Sequence, residues 1–302
     1  MSRAGVGIAA VCLILSGLVV GACSGPGDQS GPVSLGGHVV GTFTAVDGAA
    51  STLALTDDAR ELRTRLRTFG DSGASVAVRG RTVVVTGRTG LPAAASVLLA
   101  AGEFTVRPAL CESNPYVPSS ATAAGRTPPA SCSSIQYSLQ APTLIVNTAT
   151  GSSNLGSIPP DPALTSYPSS SASYNDSHPA STVLVPESGG GGVRYLLGPS
   201  ELDGTAVAGA RAVYQNPVWQ VDITFTGDGA SAWDTFAHKY FHELVGFDLD
   251  GQAVSVPVIQ PSNTAFSSFG GRTDLTGNFT RQTAEEIAAD LDSGPLATPL
   301  SL

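Results

Sequence analysis

The 302-residue sequence predicts an α+β protein with two ferredoxin-like subdomains, each an antiparallel sheet plus helices, joined by a long loop-rich connector. Three observations predict this. Short β-type runs mix with amphipathic stretches in residues 38–110, and the same mixture returns in residues 181–296. Residues 111–180 between them are crowded with Ser, Thr, Pro, Gly and Asn, a composition of loops. The second half also places its helices after strands, the order expected of an antiparallel sheet covered on one face.

The chain opens on a targeting pattern. Arg3 precedes the apolar run GIAAVCLILSGLVV, which ends at the small pair Gly21 and Ala22. That run is shorter than the roughly 20 residues a membrane span needs. Its ending V-G-A-C puts Cys23 where bacterial lipoprotein precursors carry their acylated, palmitate-bearing cysteine. Residues 1–22 are therefore expected to be a lipoprotein signal peptide and Cys23 the lipidated N-terminus, the alternative being an uncleaved anchor. Residues 23–37, including SGPGDQSGP, read as a flexible tether. The expected location is the cell membrane, lipid-anchored on its extracytoplasmic face. No later run is long and apolar enough to span a bilayer; LPAAASVLLAAGEF is short and interrupted.

In the first unit, TDDARELRTRLRTFG has acids early, arginines late and Gly70 at its end, predicting a helix with its charges aligned to the macrodipole. ASVAVRG and RTVVVTG predict a hairpin across Gly80. LPAAASVLLAAG predicts a helix opened by Pro92, and EFTVRPAL a strand ended by Pro108. The connector reads as long loops with one or two short strands, such as PTLIVNT, and beyond it Gly189 to Gly192 mark a hinge or loop tip.

The second unit reads as strands TVLVPE and VRYLLG, a helix over ELDGTAVAGARAVY, the strand VWQVDITFT and a helix over GASAWDTFAHKYFHE. A hairpin follows in VGFDLDGQAVSVPVIQ, turned at Asp250 and Gly251. A strand near DLTGNFT and a capped helix, TRQTAEEIAADLDSG, closed by Gly294 and Pro295, complete it, leaving residues 297–302 as a tail.

Charge and cysteines bound the function. A formal net charge of -9 argues against nucleic acid as a partner, because phosphate binding needs a basic face. Lys239 is the only lysine, and the wealth of Ala, Gly and Arg points to a GC-rich genome. Of four cysteines, Cys12 lies in the leader and Cys23 takes the lipid. Cys111 and Cys132 are expected to form a disulfide in an oxidising compartment, closing a loop worth roughly 3 kcal/mol. A redox-active pair would want the C-x-x-C spacing they lack.

Candidate chemistry is sparse. His238 and His242 stand four apart, with Asp234 and Glu243 nearby, so on a helix they would share a face and could present two imidazoles to zinc. Lys239, however, occupies the position of the glutamate in an HExxH motif, and no third ligand is evident. A solvated or partly packed helix face is the plainer reading, and neither metal nor cofactor is expected. His38 and His178 read as loop or edge residues. Asp248 with Asp250, and Glu285 with Glu286, could be imagined as acid and base. Asp250 is better explained as a turn residue before Gly251, and the glutamates as helix-opening charges. The serines form no G-x-S-x-G elbow. Trp219, Trp233, Phe236, Tyr240 and Phe241 are expected in packing. No catalytic residue is assigned, and the chain is not read as an enzyme.

Four ordered blocks carry a resemblance. RYLLGPSELDGTAVAGARAVY, WQVDITFTGDGASAWDTF, FDLDGQAVSVPVI and LTGNFTRQTAEEIAADLDSGPL are similar to the head of the first periplasmic domain of the SecD/SecDF protein-export family. ARELRTRLRTFGDSGASVAVRGRTVVVTG and AAASVLLAAGEFTVRPAL resemble the base of the same domain. The resemblance is to an actinobacterial-type lipoprotein lacking SecD's transmembrane helices, where SecD's proton-coupling acid lies. It implies a SecD-like base over residues 38–110, a disulfide-bearing connector over 111–180 and a SecD-like head over 181–296. It also implies a head that holds an emerging polypeptide and swings relative to the base. The expected function is a noncatalytic module that binds polypeptide or Sec translocase components to assist export. The alternative is the same scaffold reused as an envelope ligand-binding or structural lipoprotein, serving lipid or cell-wall precursors.

Overall fold

The computed structural model describes residues 39–45, 50–69, 71–87, 98–118, 127–139, 146–147, 152–153, 159–298 and 300–301. The expected leader, Cys12, Cys23, the tether, His38 and the start of the helix at Pro92 lie outside the described residues.

The first sheet is antiparallel. Strands β1 (Val39–Ala45), β2 (Ser75–Arg79) and β3 (Thr82–Gly87) pair in the order β1-β3-β2, and β2 and β3 form the expected hairpin, with Gly80 at a φ of 63° in its turn. Helix α1 (Thr52–Thr68) packs Leu55, Leu62 and Leu66 onto Phe43, Val83 and Val85. It starts earlier than expected. Ser51 caps it, accepting the Ala54 N–H at 3.1 Å, so the acids lie inside the helix and none is in its first turn. Asp58 serves elsewhere: buried, it accepts the N–H groups of Ala297 (2.6 Å) and Thr298 (3.2 Å). The residues expected as a tail are thereby held down, and Leu300–Ser301 adds a further strand beside β1.

Strand β4 (Phe104–Ser113) does not end at Pro108 but changes partner there. Before the proline it pairs with β12 (Val245–Leu249); beyond it, with β8 (Arg194–Leu197). A residue without an N–H is tolerated in a strand at such an irregularity, and the register does shift between Ala109 and Cys111. The sheet runs β13 (Gln252–Ser255), β12, β4, β8, β7 (Val183–Pro186), with β9 (Leu202–Asp203) also on β4. Its ends meet: Glu187 bridges Ala253, and the Ser188 N–H donates to the Ala253 carbonyl at 2.9 Å. The sheet is thus curled nearly closed around Ala109, Val183, Val185 and Leu197. The turn from β12 to β13 has the expected residues, Asp250 and Gly251, both at positive φ (52° and 75°) as a two-residue primed turn requires.

The connector is loops with short turns. Among the described residues the PTLIVNT run contributes β5 (Val146–Asn147), paired with β6 (Ser152–Ser153). The Cys111–Cys132 disulfide is formed, with the Cα atoms 6.1 Å apart. A short helix α2 (Ala172–Ser177), capped by Ser171, lies against the turn of the β12–β13 hairpin.

The last sheet is β10 (Val207–Gln215), β11 (Val218–Phe225) and β14 (Arg272–Phe279), antiparallel and covered on one face by α3 (Gly227–Lys239) and α4 (Arg281–Ser293). Of residues 201–214, expected to be one helix, Leu202–Asp203 form β9 and Val207 onward strand β10, with a short 3-10 turn between them. The alanines that favoured a helix, and Gly209 among them, have another use: they keep β10 thin where α4 lies across it. A Cβ on Gly209 would come within 3.1 Å of Asp292 Oδ1. Trp233 anchors this core, its ring 5.3–5.8 Å from those of Phe225, Phe236, Phe247 and Phe269.

Candidate functional site: a cleft between two sheet edges

Helix α3 ends at Lys239, and the chain then turns, with His242 at a φ of 67°. His238 and His242 therefore share no helix face, and the two-imidazole arrangement that their spacing allowed does not form. The His238 ring packs 4.9 Å from Phe266, whereas His242 stacks on Phe241 and its Nε2 lies 2.7 Å from the Asn263 carbonyl. Among the described residues no group of three or more His, Cys, Asp and Glu side chains is placed to hold a metal. His178 stacks on Tyr174 at the end of α2.

The acid pairs separate in the same way. Asp250 Oδ1 accepts the Glu103 N–H at 2.8 Å, a turn residue that also pins the start of β4. Glu285 and Glu286 accept from Arg281 (3.0 Å) and Gln282 (2.8 Å) along α4, one turn further in than expected. Asp248 is fully buried beside Arg107, at 4.0 Å, and accepts from Asn175. Burial pushes its carboxyl up to about 6.

Three buried arginines, none of them singled out by sequence, join the parts. Arg65 donates to Ser293 Oγ (2.9 Å) and to the carbonyls of Leu98 (3.3 Å), Ala100 (2.5 Å) and Gly294 (3.1 Å), and pairs with Asp290 at 3.4 Å. Burial lowers the guanidinium's pKa and raises Asp290 to about 7. Arg107 donates to the carbonyls of Ser181 (3.0 Å) and Gly198 (2.9 Å), and Arg194 to those of Asn114 (3.0 Å), Tyr167 (2.6 Å) and Leu164 (3.0 Å). Each fork of donors gathers carbonyls from different segments, a use lysine could not match.

A cleft of about 320 Å³ opens where the curled sheet closes beside β14. Edge strand β13 supplies Val254 and Ser255, edge strand β14 supplies Thr276 to Phe279, and the β7–β8 loop supplies Glu187 and Gly191. Ser255 Oγ donates to the Thr276 carbonyl at 2.8 Å, tying the two sheets together at its floor. Tyr195 lines the side; burial first, then Glu112 and Glu187, pushes its hydroxyl up to about 12, so it stays a neutral donor. Facing strand edges and an apolar ring suit an extended peptide, which can add main-chain hydrogen bonds to an open edge.

Residues 182–298 match the family described as SecDF, P1 head subdomain. The chain is 36% identical over 107 residues to the protein translocase subunit SecDF of Thermus thermophilus, and 35% identical over 112 residues to the protein translocase subunit SecD of Mycobacterium tuberculosis. The alignments cover 35% of this chain but only 14% and 18% of those relatives. The fold match reaches further. A solved structure described as that of a membrane component, SecDF, that enhances protein export superposes with a TM-score of 0.50 at 19% identity, over 87% of this chain and 97% of that one. SecDF in its super-membrane-facing form gives 0.52 over 92% of this chain and 31% of that one. The fold is thus that of the SecDF periplasmic domain, α+β with antiparallel sheets. No helix among the described residues is long and apolar enough to cross a membrane.

Proposed function

We propose that this chain is a noncatalytic SecD-like module, held by a lipid on Cys23 at the extracytoplasmic face of the cell membrane, that binds polypeptide or Sec translocase components to assist protein export. The observation that carries the reading is the P1 head match over residues 182–298, on a fold shared with SecDF well beyond that segment. The cleft between β13 and β14 supports it, because it is lined by two strand edges. Within this reading residues 38–110 act as base, 111–180 as disulfide-stapled connector and 181–296 as head.

A photo-crosslinking amino acid at Asn278, in the cleft, tests the proposal in living cells, with Ser173 on the exposed side of α2 as control. Adducts are identified by mass spectrometry. Translocase subunits or many different secreted precursors, captured from Asn278 and not from Ser173, are the expected result. A single envelope enzyme, a lipid, or nothing above the control would overturn the export reading and favour a reused scaffold.

A further inference from the structure

The hairpin joining β10 and β11 ends in a tip that the fold leaves uncovered. Tyr214 and Val218 keep 47% and 48% of their surface exposed, and Gln215, Asn216 and Pro217 between them are exposed as well. Tyr214 lies opposite Trp219, their rings 5.3 Å apart, on the face that α4 covers farther along the sheet. Val213 and Val218 lie on the opposite face. Each face of the tip thus carries apolar side chains, with Gln215 beside Val218 on the second. Its seven residues, 213–219, carry no charge, and the Arg281 guanidinium sits just behind, 5.8 Å from the Trp219 ring.

A groove on another protein covers one face of a hairpin, whereas a fluid interface closes around both. An uncharged tip enters such an interface without desolvating an ion. Tyr and Trp rings, apolar with one polar atom each, settle at headgroup depth. We propose that the β10–β11 tip is a membrane-contact element, seating Tyr214, Val218 and Trp219 in the headgroup region of the bilayer. The inference rests on the membrane attachment proposed above.

Trp219 is its own reporter, since the only other tryptophan, Trp233, is fully buried and serves as an internal reference. The full chain purified from membranes is titrated with phosphatidylcholine vesicles, with and without brominated acyl chains, while flotation of the same samples reports the lipid anchor. A Trp219→Phe variant isolates the Trp219 signal. Expected are a blue shift and quenching by brominated lipid, both lost in Val218→Asp with its thermal melt and flotation unchanged. Trp219 emission indifferent to excess lipid, whether or not the chain floats, would overturn the proposal. So would a blue shift produced by a carboxymethylated unfolded polypeptide and not by lipid, which would make the tip a polypeptide contact. Failure of flotation with quenching retained would overturn the anchor on Cys23 and leave the tip standing.

Discussion

Replacing Arg65 with methionine tests whether the joint between α1 and α4 is held by one guanidinium. The side chain is fully buried and reaches four acceptors and one carboxylate. Summing four charge-assisted hydrogen bonds at roughly 1.5–3 kcal/mol each would give more than 6 kcal/mol. That sum overshoots, because the Ala100 and Gly294 contacts are only part-buried and their carbonyls recover water. Breaking a buried ion pair on one side costs about 3–5 kcal/mol, and about 4 is the expected loss for Arg65→Met in urea unfolding at neutral pH. Much of this is the stranded charge of Asp290. Its folded-state pKa, about 7, already lies above the 3.8 of the free group, so folding binds a proton and stability falls as pH rises between those values. Without Arg65 the carboxyl rises further, so Arg65→Met is destabilised much less at about pH 5 than at about pH 8. Adding Asp290→Leu restores a large part of the loss, since an apolar pair of similar volume can replace a buried ion pair. A loss below about 1 kcal/mol, or one equal at both pH values, would refute the assignment.

Three further outcomes follow from the same geometry. Reducing the Cys111–Cys132 bond, or replacing both cysteines with serine, should cost roughly 3 kcal/mol in a thermal melt, the loop-entropy value for a separation of 21 residues. Asp248, raised to about 6 against an unfolded 3.8, should make wild-type stability fall as pH rises through that interval, and Asp248→Asn should flatten this part of the profile in urea titrations. Gly229→Ala should cost about 2 kcal/mol because the new methyl would strike the Ala206 carbonyl and come within 2.8 Å of Thr226 Oγ1, whereas Gly227→Ala, facing open space, should be close to neutral by calorimetry.

What the sequence revealed was mostly local. The Asp250-Gly251 turn, the Gly80 hairpin and the Thr280 cap of α4 are set by neighbours within a few residues, and each is where the pattern places it. The failures share a different cause. Residues 207–214 read as helix because alanine favours helices, yet their smallness answers to a helix packed against them from 70 residues downstream. Pro108 read as a strand end because its exchange of partners depends on β8 and β12, both remote in sequence. The histidine pair read as a helix face because nothing local announces that His242 adopts a left-handed backbone. The cleft was invisible for the same reason, being made of two strand edges and a glycine-rich loop that only the closing of the curled sheet brings together.

The resemblance that organised the sequence implies a head that swings relative to a base, and the structure shows what such a swing would encounter. Helix α4 lies on β10 in the head core while its Ala289 packs on Phe69 at the end of α1. Arg65 ties that same helix end to α1 and to the 98–100 segment that leads into β4. A rigid head could not leave the base without either breaking the buried Arg65–Asp290 joint, at about 3–5 kcal/mol, or leaving α4 behind and opening the core around Leu291. The first is the cheaper path, and ionisation of Asp290 favours it further, because the carboxylate disfavoured by burial beside Arg65 regains water when the joint opens. If the head of this chain moves, its motion should therefore become easier as pH rises through about 7, and amide exchange in the last turn of α4, corrected for the intrinsic pH dependence of exchange, should quicken there ahead of the strands of either sheet.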